Sequence, residues 1–538
     1  MGKTKINTAL LFVLPVLTGI VLGLSALPSK LYYLNFIAFI PLLIAAEGSL
    51  KKHKSFLIFV LQLLITLVTF YSIVYFWVLQ TANMGFAIGY FIVLPFVIFL
   101  SPYIVSRKRG SNFSALYFIA AWLTVEMIQS FYQLGSPFYN LGNNLGANPK
   151  IIQWYEFTGA AGGTLWILAV NFLIFSLGKT MVHGHKNLIK QAVVLVCVLV
   201  APTVVSVLIF NTYKEKGTIA EVLIIHPSTD NQDIKYRINI YELMDIYLDI
   251  MQPQLSENTE YVVLPETAIT NAGWISEYNR NLVFQHFREK TAQFPNLKLI
   301  TGAVTYEAIP NVEKIKNYKK IPGIRYSEKY RTWYYTYNAA LQIEQNQATQ
   351  IRVKEGLVPY QEFAPYPTVL PYISPVGIDF QFSKRKKNRE VFIAESGTKT
   401  AAMICYEVVL GNLFYKAVRK GAEAFFVLLN EGWYNDPKVP RQFLQLSVVR
   451  AIENRRSVAH SSNMGVSAFI NQRGEVIAST ESKQPDFLKR EISLNRKKTI
   501  YTTLGNYLSI VAVISMVAIL VNGFLKKKVS SLKSSKFR

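Results

Sequence analysis

Cysteine is nearly absent from this sequence: there are two, Cys197 and Cys405, in 538 residues. Their surroundings differ so much that a structural disulfide is not expected. A cysteine-based zinc site, which needs more ligands at close spacing, is excluded. Histidine is scarce too, at six residues. Acidic residues number 33 against 57 basic ones, for a formal net charge of +24. No Gly-rich phosphate loop follows an apolar strand-like run, which argues against a nucleotide enzyme. Apolar residues are abundant, at 51%. They gather in blocks of about 20, the length a helix needs to cross a bilayer core. In such a chain, basic loops that set membrane topology account for the charge, and no nucleic-acid partner is expected.

Eight apolar spans are expected, over 8–26, 31–47, 55–79, 85–106, 112–130, 162–180, 188–210 and 504–525. Ser25-Ala26-Leu27 is a poor cleavage site and further spans follow at once, so the first span reads as a retained helix, not a signal peptide. Basic clusters fall in alternate loops: Lys51, Lys52 and Lys54; Arg107, Lys108 and Arg109; Lys179 to Lys190; and the tail from Lys526 to Arg538. The loops between them, such as 27–30 and 80–84, are nearly uncharged. Lys and Arg concentrate on the cytoplasmic side. Both termini are therefore expected in the cytoplasm, and the long segment between spans 7 and 8 on the outer face. The expected domains are 1–211 (seven helices), 212–500 (an extracytoplasmic catalytic domain) and 501–538 (the eighth helix and a basic tail).

The outer segment alternates short apolar runs with helical stretches. Strands are expected at Ala220–Ile225, Tyr261–Leu264, Lys298–Val304, Ala339–Ile343, Thr400–Cys405, Ala424–Leu429, Val458–Ser461 and Ser467–Ile470. Helices fit over Asn239–Gln254 and Arg441–Arg455. Such alternation predicts an α/β domain with both sheet faces covered.

Three places put polar residues just after apolar strands: Glu266 in VVLPETAI, Lys354 and Glu362 in VKEGLVPYQEFAPY, and Cys405 and Glu407 in ICYE. A carboxylate, an amine and a thiol at strand ends can meet at one sheet edge, where α/β sites lie. Together they suit acyl transfer. The thiolate is the nucleophile, a carboxylate takes its proton, and a cationic amine steadies an oxyanion, with the Tyr406 N–H as a second donor. Taken singly, each has a plainer reading: a buried cysteine as a small hydrophobe, a loop Glu or Lys as solvated. A Cys–His site drawing on His226, His286 or His460 is the competitor, but none of these sits in a local sequence typical of such sites.

The order LPETAI, then K-x-x-LVP-x-x-E-F-x-P, then ICYE resembles the nitrilase superfamily with its Glu–Lys–Cys triad. With the eight-helix body around it, nearly the whole chain resembles the bacterial apolipoprotein N-acyltransferases. The resemblance implies an αββα sandwich in a polytopic helical membrane protein. It makes Glu266 the general base, Lys354 the oxyanion stabiliser and Cys405 the nucleophile, with Glu362, Tyr406 and Glu407 in support. NEGWYND resembles a loop near the family's site and makes Trp433 and Tyr434 substrate-loop candidates. RQFLQLSVVRAIENRR and the outer loop from Gly135 to Trp154 match the family as well. Departures are Gln361 where Gly is common, IRVK before the lysine, and the loop His226 to Tyr236.

What the resemblance implies chemically is a two-stage reaction. A phospholipid acylates Cys405, and the thioester then passes its acyl chain to the α-amino group of a diacylated N-terminal cysteine on an apolipoprotein. No metal or cofactor is implied. The expected setting is the bacterial cytoplasmic (inner) membrane, and a monomer is expected. Two alternatives are a tethered nitrilase-type amidase acting on a small amide and a non-enzymatic transporter or scaffold. Eight spans exceed what an anchor needs. The spans hold few ionisable residues for transport, Glu126 being the exception. The run Lys384-Arg385-Lys386-Lys387-Asn388-Arg389 reads either as a solvated loop or as a contact for anionic lipid headgroups.

Overall fold

The computed structural model describes residues 7–80, 92–183, 187–229, 234–312, 324–359, 361–363, 365–366, 382–383, 391–433 and 436–535. Tyr360, Tyr434 and the basic run 384–389 lie outside them. The chain divides into two units, 1–209 with 506–538, and 210–505.

The first unit is helical. Among the described residues, four stretches are long and apolar enough to cross a membrane: Lys30–Ser49, Ser55–Val74, Ala160–Val182 and Leu188–Thr212. Two shorter apolar helices join them, Leu10–Ala26 and Ser114–Gln129, and a further helix, Tyr507–Ser535, is apolar over Tyr507–Gly523. At 1.5 Å per residue, 17 residues give about 25 Å, short of a hydrocarbon core of about 30 Å. The expected span 85–106 falls partly outside the described residues, and its described part is two helices, Val93–Leu100 and Pro102–Lys108, broken at Ser101. Among the described residues, four stretches have the length and composition of a span, fewer than the eight expected.

Several buried polar groups in this unit bond to neighbouring backbone or side chains, as a medium without water favours. Asn171 accepts from the Phe39 N–H and donates to the Asn35 carbonyl, and Gln62 donates to the Leu11 and Ala45 carbonyls. Glu126 accepts from Trp122, the Leu141 N–H and Thr164. Glu126 thus ties a loop and a neighbouring helix to its own helix, a structural role that needs no transported ion. The helix Leu188–Thr212 instead turns Ile189, Val193, Val196 and Leu208 outward.

The second unit is built on two sheets. In the first, β1 (Thr218–His226), β2 (Thr259–Val263), β3 (Lys298–Ala308), β4 (Ile324–Ser327), β5 (Thr332–Ile343) and β13 (Asp486–Leu494) run in the order β13-β1-β2-β3-β5-β4, and β6 (Gln350–Val353) pairs with β5. In the second, β7 (Phe392–Ile393), β8 (Lys399–Ile404), β9 (Ala424–Leu429), β10 (Val458–Ser462), β11 (Ala468–Ile470) and β12 (Val476–Ser479) run in the order β12-β11-β10-β9-β8-β7. The central strands β1-β2-β3 and β8-β9-β10 are parallel. They are almost wholly buried apolar runs, as strands covered on both faces must be.

The sheets stack on each other. Tyr261 of β2 meets Phe426 of β9 with ring centroids 5.2 Å apart, and Ser461 of β10 donates to the Ile225 and Val263 carbonyls. Helices Ile240–Met251 and Leu282–Lys290 pack Leu243, Tyr247, Phe284 and Phe287 onto the first sheet. On the second sheet, Phe414 of the helix Gly411–Arg419 meets Phe425 at 4.8 Å. The helix Lys438–Asn454 buries Phe443, Leu446 and Val449 and reaches His460 of β10 through Ser447. The result is the expected αββα sandwich, a nitrilase-like fold. All eight expected strands form. The strands without an apolar run, β4, β6, β7, β12 and β13, lie at sheet edges or pair beside them, where half-exposed faces admit polar and charged residues.

Candidate active site

The functional side chains emerge at the ends of β2, β6, β8 and β9. Beyond β2, Pro265-Glu266-Thr267 turns back over β3. Thr267 has φ +51°, and the Gly302 N–H donates to the Pro265 carbonyl at 3.1 Å. A Cβ at Gly302 would sit 2.5–2.7 Å from Thr267 N, Glu266 Cα and Pro265 O, so only glycine lets this turn lie on the strand. Lys235, fully buried, donates from Nζ to the Glu266 carbonyl at 2.9 Å.

Lys354 follows β6, its N–H bonded to the Asn338 carbonyl of β5 at 2.8 Å. Its Nζ lies 3.0 Å from Glu266 Oε1 and 2.9 Å from Glu362 Oε1. Asn338 Nδ2 donates to the same two oxygens at 2.8 and 3.2 Å. Glu266 Oε2 accepts from the Asn430 N–H just after β9, and Glu362 Oε2 accepts from the Val358 N–H. All three charged side chains are buried.

Cys405 is the first residue after β8, opening the 3₁₀ turn Cys405–Val409 with φ +48°. A cysteine in the left-handed region is held there by its surroundings, and such backbone clusters at functional sites. The holder is Glu407. Its carboxylate takes both Arg352 nitrogens, at 2.6 and 3.0 Å, and the N–H groups of Ile404, Glu355 and Gly356 at 2.8, 2.7 and 3.3 Å. One buried carboxylate thus fastens the Cys405 turn to the Lys354 segment.

The electrostatics follow from burial. Burial, then the Glu266 charge, push the Cys405 thiol well above its ordinary range, against the Lys354 ammonium. Burial would lower Lys354, but Glu266 and Glu362 hold it well above the ordinary lysine value. Burial raises Glu362, opposed by Lys354 and reinforced by Glu266. For Glu407, burial acts upward, and Arg352 with the backbone donors still holds it below the usual carboxylate range. The thiol is therefore protonated at neutral pH beside a carboxylate able to take its proton, with a fixed cation at hand.

The structure brings Glu266, Lys354 and Glu362 into direct contact and sets Cys405 within their field. Tyr406 follows Cys405, half-buried. Trp433 is 43% exposed and stacks on Tyr236 at 6.1 Å and 26°. The histidines have other partners: His226 Nδ1 meets Ser467 Oγ at 2.9 Å, His460 Nδ1 meets Ser447 Oγ at 2.9 Å, and His286 Nε2 meets Asp245 Oδ1 at 3.0 Å. Burial pulls His226 down to about 4 and His460 down to about 3. Sequence reasoning missed Lys235, Asn338, Arg352, Asn430 and Glu431. Glu431 carried the same signal as Glu266, a carboxylate just past an apolar strand. Arg352 lies two residues before Lys354, on the same face of β6.

With this geometry in place, comparison with known proteins gives a consistent result. Residues 18–173 match the apolipoprotein N-acyltransferase N-terminal domain, and residues 239–500 match the carbon-nitrogen hydrolase family. The apolipoprotein N-acyltransferase of Chlorobaculum tepidum is 27% identical over 91% of this chain and 92% of its own. Those of Pasteurella multocida and Geobacter metallireducens are 22% and 23% identical, over 97% and 96% of this chain and 96% of each relative. The chain belongs to the apolipoprotein N-acyltransferase family.

Proposed function

We propose that the chain transfers an acyl chain from a phospholipid to the α-amino group of the N-terminal diacylglyceryl-cysteine of apolipoproteins, by way of a thioester on Cys405. Glu266 takes the thiol proton as sulfur attacks the ester carbonyl. The Lys354 ammonium and the Tyr406 N–H receive the developing oxyanion, in a site dry enough to make such donors effective. Collapse expels the lysophospholipid alkoxide, which takes the proton back from Glu266. Glu362 shares Lys354 and keeps its ammonium aimed, and Glu407 holds the nucleophile's turn. Trp433 and Tyr434 belong to the loop that meets substrate.

The observation that carries this reading is the Lys354 ammonium, hydrogen-bonded to both Glu266 and Glu362 beside a buried thiol on a left-handed turn. The test is intact mass of the full chain after exposure to labelled phospholipid. One acyl mass on Cys405, discharged by a diacylated lipopeptide, is expected. Hydrolysis of a small amide with no acyl mass would overturn it.

The proposed arrangement is eight spans in the bacterial cytoplasmic membrane, both termini cytoplasmic, residues 212–500 on the outer face, and the chain a monomer. Its support is the alternation of basic loops, together with contacts inside the helical unit. Glu47 pairs with Arg107 and with Lys179, which draws three of those loops to one end. Asn148 bonds Tyr32, and Trp77 bonds Tyr139, among the loops of low charge. A reporter active only outside the cytoplasm should work when fused after residue 300 and be silent at the C-terminus. The reverse pattern would overturn the topology.

A further inference from the structure

One buried carboxyl beside the thiol has no part in the steps above. Glu431 follows Asn430, whose N–H is bonded to the base Glu266, and it is 2% exposed. Its Oε2 accepts from the Ser462 hydroxyl, and the Val466 N–H also acts on the carboxyl. That oxygen lies over Gly465, where a Cβ would come within 1.8 Å of it, so the carboxyl occupies space that only a glycine leaves open. Its Oε1 has no hydrogen-bond partner among the described residues. Leaving a buried carboxyl oxygen without a donor is unfavourable, and in native proteins such a group calls for a catalytic role, a ligand, strain or a bound water to explain it. The charge of Glu431 bears on Cys405, and that of Glu266 bears on Glu431. The groups gathered from β10 and the loop after it, Ser462, Gly465 and Val466, do not titrate.

The missing donor has a chemical match in the reaction. An acceptor α-amino group has an ordinary pKa of about 7.7–8.0 and reaches the site largely as ammonium, which has no lone pair with which to attack a thioester. We propose that Glu431 is the amine-receiving residue of the second half-reaction: its Oε1 accepts a hydrogen bond from the acceptor's α-ammonium and takes one proton from it. This rests on the thioester reading above.

The protons balance. Glu431 takes the first, leaving a neutral amine. As nitrogen bonds to the thioester carbon, Glu266 takes a second proton from it. The C–S bond then breaks, and Cys405 leaves as thiolate and recovers its proton from Glu266. The amide departs, and Glu431 returns its proton to solvent. Burial, opposed by the Ser462 hydrogen bond and reinforced by the Glu266 charge, pushes the Glu431 carboxyl up to about 8. Donor and acceptor are thus matched, and the proton passes between them at little cost.

The test separates the half-reactions in the full-length protein. The chain is loaded from a phospholipid, the acyl mass on Cys405 is measured, and discharge by a diacylated lipopeptide is timed from pH 6 to 10. For Glu431→Gln the acyl load is expected to form and discharge at pH 7 to slow by about 10²–10³-fold, within the range of a general base. That loss is expected to shrink below about tenfold near pH 9.5, where the amine is neutral unaided. Glu431→Asp, which keeps the carboxyl, is expected to retain the wild-type pH slope. Unchanged discharge by Glu431→Gln, a loss that does not shrink with pH, or a Glu431→Asp slope like that of Gln would each overturn the proposal. So would loss of acyl loading in Glu431→Gln, since an amine-receiving group is not needed for loading. Absence of any acyl mass on wild-type Cys405 would instead overturn the thioester reading, and so keeps the two failures apart.

Discussion

Two buried carboxylate–cation clusters flank Cys405, and they differ in how fully they are satisfied. At the first, Glu407 takes two hydrogen bonds from Arg352 and three from backbone N–H groups. One negative charge meets one positive charge, the fork is bidentate, and the oxygens' capacity is spent. At the second, one Lys354 ammonium serves two carboxylates, Glu266 and Glu362, and burial raises the proton affinity of Glu362 and of the nearby thiol. The first cluster is a fastener, and the second, in the proposed function, is a poised proton system. The same residue types, equally buried, become scaffold or chemistry according to whether their charges balance.

The largest effects should come from breaking the poised cluster. Cys405→Ala is expected to abolish acyl transfer and leave the fold intact, since it removes one sulfur atom and the turn is held by Glu407. Near-normal turnover would end the covalent mechanism. Glu266→Gln and Lys354→Met should each lower the rate by several orders of magnitude. Loss of one oxyanion donor alone typically costs about 10²–10³-fold, and failed activation of the thiol adds to it.

The balanced cluster should respond in stability. Removing one partner of a buried pair costs about 3–5 kcal/mol because the other is stranded. Arg352→Met and Glu407→Gln should therefore lower the unfolding temperature of the catalytic unit more than Glu266→Gln does, since that variant relieves an excess of negative charge around Lys354. The double variant Arg352→Met/Glu407→Leu should recover much of that loss, since a buried ion pair replaced by apolar groups is often neutral. If Glu266→Gln loses more stability than Glu407→Gln, the division into fastener and proton system fails.

Alkylation of Cys405 sharpens the comparison through pH. The thiol is raised by burial and by Glu266, and lowered by Lys354. Its alkylation rate should keep rising with pH beyond the ordinary thiol range. Lys354→Met removes the lowering charge and should move that midpoint up; Glu266→Gln removes a raising charge and should move it down. The charges acting most on the thiol are those of Glu266, Lys354, Glu362 and Glu431, so Arg352→Met should shift the midpoint less than either triad variant unless it displaces the turn. Shifts of one sign in both triad variants would refute the assigned electrostatics.

Much of this was legible in the sequence, for identifiable reasons. β2 and β8 lie inside sheets covered on both faces, so their apolar runs and the residues after them, Glu266 and Cys405, stand out; Lys354 follows the short edge strand β6 and was legible through the family motif around it. The β13 strand, DFLKREISL, half exposed at an edge, shows no run. Glu407 was legible as a neighbour of Cys405 but not as its anchor, because Arg352 lies 55 residues away in sequence. Lys235 and Asn338 act through backbone and side-chain contacts that only folding creates. The spans were legible as composition and less so as lengths, since helix ends at Val74 and Gln129 depend on packing and turns.

The smallest effect is expected at the other cysteine, and it marks how far position alone decides a thiol's role. Cys197 lies on the helix Leu188–Thr212 and is exposed, among outward apolar residues such as Val193 and Val196. An exposed thiol leaves no cavity when truncated, so Cys197→Ala should change stability by less than about 0.5 kcal/mol. Turnover should stay within about twofold of wild type. The variant also leaves Cys405 as the single thiol, so each acylation and alkylation experiment above then reads one site. In the parent protein an apolar, membrane-permeant alkylating reagent should modify Cys197 first and Cys405 slowly, the order that exposure and burial dictate. A marked loss of acyl transfer in Cys197→Ala would show that this helix surface does more than face lipid, and that the chemistry is not confined to the unit carrying Cys405.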